Sequence, residues 1–216
     1  ARFMARSIGY LNKESKEKIT VLVATSGDTG GAVANGFLGV EGVNVVILYP
    51  RGKVSEIQEK QLTTLGQNIT ALEVDGVFDD CQEMVKNAFL DSGLSSVQLT
   101  SANSINVARW LPQMFYYFIA YRALKQKNKK LVFSVPSGNF GNICAGLMGQ
   151  QMGLPINHFI ACTNLNDSVP RYLKTGNYEP LPTKQTISNA MDVGNPSNFI
   201  RIQTIFNNDI VKMKKT

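Results

Sequence analysis

Histidine and tryptophan each occur once in 216 residues, and cysteine three times. The single His158 rules out a histidine-rich metal site and any catalytic triad that needs a second histidine; its place fits the start of a strand. Cys81, Cys144 and Cys162 are odd in number and widely spaced. That is the pattern of reduced thiols in a cytoplasmic protein and not of a disulfide framework. No apolar run is long enough to span a bilayer, and the first residues do not read as a signal peptide. Charged residues make up 18% of the chain, with a net charge of +6. The basic residues gather in "NKESKEK", "KQKNKK" and "VKMKK", short stretches of the kind that form solvated faces. No recognition helix or aromatic strand accompanies them, so nucleic acid is not an expected partner; small anions are.

What is present is alternation. Short, β-branched apolar runs at 19–24, 44–49, 69–74, 96–100, 131–135 and 157–162 read as strands. Helical patterns lie between them at 28–39, 55–65, 79–90, 104–126, 140–151 and 167–174. Nearly continuous apolar strands are those buried on both faces, so the expected class is α/β, with mostly parallel, doubly wound sheets flanked by helices. "SEIQ" at 55–58 reads as a capping box. Leu111, Met114, Phe115, Phe118 and Ile119 form a stripe expected to face the core, with Pro112 near the first turn of that helix or kinking it. Neither end looks natural. The chain lacks an initiator Met, starts in mid-helix without a cap, and stops without a clear finish, which suggests a piece of a longer protein.

Ligands of open α/β sheets sit at the C-terminal ends of strands, and three turns there have unusual chemistry. "ATSGDTGGA" at 24–32 offers hydroxyls from Thr25, Ser26 and Thr29, and glycines, including Gly27, that let backbone amides approach a carboxylate. Asp28 would repel such a ligand and reads instead as an N-cap or as the partner of a group such as a phenolic hydroxyl. "SANSINVAR" at 101–109 sets Asn103 and Ser104 at a helix start, with Arg109 able to fold back over it, a combination suited to phosphate. "GNFGN", Gly138, Asn139, Phe140, Gly141 and Asn142, can form a nest of amides with no lysine, an anchor for a phosphate that does not react. An ordinary glycine-rich turn at the first place, and a plain Ser104 cap with a surface arginine at the second, remain open on these residues alone.

"ARFMAR", "ATSGDTGGA", "YPRGKVSEIQEKQLTTLG", "SANSINVARWLPQ", "PSGNFGNICAG" and "AMDVGNPSNFIR" are collinear, and together they resemble the threonine synthases, pyridoxal-phosphate enzymes of fold type II. The resemblance implies two α/β domains: residues 1–16 and 111–216 in the large cofactor-binding domain, and 17–110 as the small substrate-binding domain. It implies conversion of O-phospho-L-homoserine and water to L-threonine and phosphate. Gly138 to Asn142 would hold the phosphate of pyridoxal phosphate, with Asp28 near its ring hydroxyl. Thr25, Ser26, Gly27 and Thr29 would bind the substrate carboxylate, and Asn103, Ser104 and Arg109 its phosphate. The Schiff-base lysine of the family precedes the motif that ends in Ala1-Arg2-Phe3, so it is expected just upstream of Ala1, and the isolated chain is expected to be inactive. Two alternatives stay open: another fold type II lyase such as a serine or threonine dehydratase, and a related protein that only binds phosphorylated metabolites. Neither a membrane nor a metal is expected to take part.

Overall fold

The computed structural model describes residues 1–104 and 106–216. The chain divides into two compact units, 1–109 and 110–216. The first unit opens with α1 (Arg2–Leu11), followed by β1 (Ile19–Ala24), α2 (Asp28–Phe37), β2 (Val43–Pro50), α3 (Glu56–Thr63), β3 (Ile69–Val74), α4 (Phe78–Leu90) and β4 (Gln98–Ser101). Its four strands form a parallel sheet in the order β3-β2-β1-β4. The alternating side chains of β1 and β2 explain the two-sided cover. Val21, Val23, Val45 and Ile47 pack with Val33, Phe37 and Leu62 from α2 and α3. Leu22, Ala24 and Leu48 point the other way, against Cys81 and Val85 of α4. Each such side chain contributes about 1.5–3 kcal/mol of burial. The chain winds outward from β1 to β3, then returns through α4 to place β4 on the other side of β1. The switch point therefore lies between β1 and β4, where the turns after both strands emerge.

The expected helix over 104–126 is not one helix. Its start passes through Ile105, which lies outside the described residues. Beyond it the chain forms a short turn, α5 (Val107–Trp110), then a 3-10 segment at Leu111–Gln113, then α6 (Met114–Leu124). Pro112 sits at the start of the 3-10 segment, where its missing N–H and fixed φ break the α ladder. The expected apolar stripe is corrected with it. Met114 is 7% exposed and joins the core with Tyr117, but Ile119 is 64% exposed. Phe115 and Phe118 also keep much of their surface.

The second unit continues with β5 (Leu131–Pro136), α7 (Gly141–Gln151), β6 (Ile156–Cys162), α8 (Ser168–Thr175), α9 (Phe199–Ile205) and α10 (Ile210–Lys215). β5 and β6 are a parallel pair. α7 packs on α6 and α9, around a core of Tyr117, Phe140, Ile143, Leu147, Phe159, Tyr172 and Phe199. Full burial of the strands, expected throughout, is met only in Val21–Ala24 of β1 and most of β2; the edge strands β3 and β4 are only partly covered, and Val132 and Ile160 on β5 and β6 stay about half exposed. A pair of strands gives too little surface to cover all sides of so apolar a set of elements.

Candidate functional site

The turn after β1 is shaped from within by Thr25. Its side chain is 1% exposed, and its Oγ1 accepts hydrogen bonds from the amides of Gly27 at 2.9 Å and Gly30 at 2.8 Å. The hydroxyl expected to face a carboxylate is thus engaged in tying the turn to the first turn of α2. Ser26 is exposed and Thr29 half-buried. Gly27 caps α2 at φ +131°, a conformation open in practice only to glycine.

Asp28 is the first residue of α2 and not its N-cap. Its Oδ1 accepts a hydrogen bond from Gln58 Nε2 at 2.8 Å. The "SEIQ" capping box forms as read: Gln58 N donates to Ser55 Oγ, and Ser55 N donates to Gln58 Oε1. One glutamine therefore caps α3 with its oxygen and holds Asp28 with its nitrogen. It lies so close to Gly27 that an added Cβ there would fall 2.5 Å from Gln58 Oε1. Gln58 is a site residue that the sequence showed only as a cap.

The turn after β4 lies beside this one because β1 and β4 are paired in parallel. Asn103 Nδ2 donates to Ala24 O at 3.4 Å, joining the two turns. Ser104 lies in the turn, and the helix starts three residues later, so Ser104 is not its cap. Asn106 takes that part: its Oδ1 accepts from Ala108 N at 2.9 Å and its Nδ2 donates to Ser101 O at 2.6 Å. Arg109 does fold back, its Nη1 donating to Ala102 O. Burial pulls the Arg109 pKa below the usual arginine value.

In the second unit the turn between β5 and α7 has Phe140 at φ +60°, with its ring buried against Phe199 at 6.0 Å. Among the described residues, the amides of Gly138, Gly141 and Asn142 donate no hydrogen bond at this helix start. The side-chain amides, read as further donors to a ligand, have other work. Asn142 Nδ2 donates to Pro136 O at 2.6 Å, and Asn139 Oδ1 accepts from the amide and hydroxyl of Ser197 at 2.6 and 2.9 Å. Tyr117 Oη donates to Asn142 O at 2.9 Å and steadies the first turn of α7. The turn itself carries no cation, but the fold brings one near it. Arg201 of α9 donates to Asn198 Oδ1 at 2.5 Å and lies 5.6 Å from the Trp110 ring centroid. Both neighbours touch the turn: a Cβ added at Gly141 would lie 3.1 Å from Asn198 Nδ2 and 3.4 Å from Trp110 Cβ. Trp110 Nε1 is buried with no partner among the described residues. Arg201 and Trp110 lie far from the turn in sequence and carry no signal that could have placed them there.

Residues 1–209 match the family described as "Pyridoxal-phosphate dependent enzyme". The threonine synthase of Buchnera aphidicola from Acyrthosiphon pisum is 55% identical over 208 residues, covering 95% of this chain and 48% of that protein. The crystal structure of threonine synthase from Escherichia coli has a TM-score of 0.87 at 48% identity, covering 99% of this chain and 51% of the other. The pyridoxal-phosphate-bound threonine synthase of Brucella melitensis has the same TM-score at 40% identity, covering 99% and 47%. The chain spans about half the length of the curated relatives it matches. With parallel sheets flanked by helices and glycine-rich turns at the strand ends, the chain belongs to the pyridoxal-phosphate-dependent enzymes.

Proposed function

We propose that the protein containing this chain is a threonine synthase, converting O-phospho-L-homoserine and water to L-threonine and phosphate with pyridoxal phosphate as cofactor. The observation that carries this reading is the pairing of two anion-suited turns at the adjoining ends of β1 and β4, joined by Asn103 and Ala24. A substrate with a carboxylate at one end and a phosphate at the other suits such a pair. The similarity to threonine synthases across nearly the whole chain supports the same reading.

The second unit fits a cofactor phosphate. Undonated amides at Gly138, Gly141 and Asn142 open an 11-residue helix, whose dipole favours an anion there. Gly138 packs against the Met191 backbone, where a Cβ would lie 2.8 Å from Met191 Cα, so only glycine fits at the start of the turn. Phe140 shapes the turn through its backbone and Asn139 through its bond to Ser197. The cofactor, when bound, supplies an electron sink that makes protons near the substrate amino group removable.

The residues of the first unit bind and orient. Ser26 and Thr29 hold the carboxylate, with Gly27 allowing its close approach and Thr25, which accepts from the Gly27 amide, fixing the turn behind them. Asp28, oriented by Gln58, is assigned to the ring hydroxyl of the cofactor. Asn103 and Ser104 position the substrate phosphate, and Arg109 stabilises its negative charge as it leaves. On the family resemblance alone, residues 17–110 are assigned to the substrate-binding domain and 1–16 and 111–216 to the cofactor-binding domain, although in the structure α1 packs with the first unit through Met4 and Ala5. Among the described residues no helix is long and apolar enough to cross a membrane. The unpaired Cys81, Cys144 and Cys162 support a cytoplasmic setting.

The test is Arg109→Ala in the full-length protein, followed by phosphate release from O-phospho-L-homoserine. Loss of one such charge-stabilising donor lowers turnover by about 10²–10³. Dehydration of serine, which has no phosphate to expel, is spared. Release of phosphate at the wild-type rate would refute the assignment.

A further inference from the structure

The segment Asp192–Asn198, "DVGNPSN", lies in one of the stretches that carry the family resemblance and holds none of the assigned site residues. In the structure it is held by a dense set of side-chain hydrogen bonds, and it ends against the turn between β5 and α7. Asp192 is its hub. Its Oδ1 accepts from Thr186 Oγ1 at 2.7 Å, Asn164 Nδ2 at 2.7 Å and Asn166 Nδ2 at 3.3 Å. Its Oδ2 accepts from Thr186 N at 2.8 Å. The same asparagines tie the loop to the chain after β6: Asn166 exchanges hydrogen bonds with Lys184, and Asn164 Nδ2 also donates to Ser188 Oγ. Further along, Ser168 Oγ donates to Gly194 O at 2.9 Å, and Gly194 N donates to Thr183 Oγ1 at 3.1 Å.

The loop so fixed meets the turn at three places. The Met191 backbone lies against Gly138, where no Cβ fits. The amide and hydroxyl of Ser197 grip Asn139 Oδ1. Asn198, 0% exposed, packs against Gly141. These contacts reach Gly138, Asn139 and Gly141, which set the direction of the amides facing an anion.

We propose that residues 183–198 form a clamp that holds the phosphate-binding turn in shape, and that Asp192 is its positioning residue. This rests on the reading of that turn as the cofactor-phosphate site. Asp192 acts through the loop and not on the ligand. Removing its carboxylate leaves the donors of Asn164, Asn166 and Thr186 unmatched, frees Met191 and Ser197 from their register, and lets the turn's amides diverge.

The test uses full-length protein with Asp192→Ala, Asp192→Asn and Leu154→Ala. Leu154 is buried in the core of the same unit and takes no part in the loop, so its truncation controls for lost stability alone. Pyridoxal phosphate is titrated by absorbance, and the bound phosphate is observed by phosphorus NMR. Asp192→Ala is expected to weaken binding at least about tenfold and to move the phosphorus resonance. Asp192→Asn keeps an oxygen for the Oδ1 donors and recovers most of both. Leu154→Ala lowers the melting temperature with the resonance in place. Wild-type affinity and resonance in Asp192→Ala, or an equal shift in Leu154→Ala, overturns the clamp and leaves the functional reading standing. Wild-type protein that binds no pyridoxal phosphate overturns both.

Discussion

Gly27→Ala tests how tightly the carboxylate turn is built. The substitution acts twice. It places a side chain at φ +131°, which costs about 1–3 kcal/mol in backbone strain. It also drives Cβ into Gln58, 2.5 Å from Oε1, and overpacking of that kind costs about 1–3 kcal/mol. Gln58 can swing aside only by giving up its bonds to Asp28 and Ser55. The two together come to about 2–6 kcal/mol. Gly52→Ala is the reference: it also has positive φ, +62°, but nothing lies within 4 Å of an added Cβ, so it costs about 1 kcal/mol. Native-state hydrogen exchange at Val21–Val23 in the full-length protein reads the stability of this unit. The double variant Gly27→Ala, Gln58→Ala relieves the collision and is expected to be about 1–2 kcal/mol less destabilised than the sum of its parts. If Gly27→Ala costs no more than Gly52→Ala, or if the two changes simply add, the packing of Gln58 over the turn is refuted.

Two further outcomes complete those given above for Arg109 and Asp192. Thr25→Val keeps the shape but leaves the Gly27 and Gly30 amides without an acceptor; it is expected to cost about 2 kcal/mol, measured by the same exchange, with Thr25→Ser restoring most of it. Burial raises the Cys144 pKa from 9.0 to about 11 and the Tyr117 pKa from 10.0 to about 12. Both folded values lie above the unfolded ones, so this stability is complete below pH 9.0 and is lost as pH rises through about 11 to 12. Urea midpoints of full-length protein should fall over that range, and less so in Tyr117→Phe with Cys144→Ala.

The strands and most helices were legible because their pattern is local. "ITVLVA" and "NVVILY" can bury both faces only as central parallel strands, and they are β1 and β2. The capping box at Ser55 and Gln58 is a matter of three residues' spacing, and it formed as read. The helix over 104–126 misled because its apolar residues match the helical period, while Pro112 interrupts the hydrogen-bond ladder the period assumes. Its stripe misled because a period says that one side is apolar and not whether anything covers it. The relatives are about twice this length, and Ile119 and Tyr116 are 64% and 74% exposed on α6.

Composition and spacing alone determined the α/β class and the places where chain turns meet strand ends. These follow from backbone sterics, glycine freedom and helix dipoles, which act over a few residues. Tertiary structure decided which polar groups are spent on the protein itself. Thr25 is turned inward to tie its own turn, Asn142 is bonded to Pro136, and Asn139 is held from 58 residues away by Ser197. Arg201 is brought near the glycine-rich turn, and Asp192 into the loop that packs on that turn, by the same long-range packing. A hydroxyl or amide in a sequence shows only that it can form a hydrogen bond; its partner is chosen by whatever the fold places within 3 Å or so.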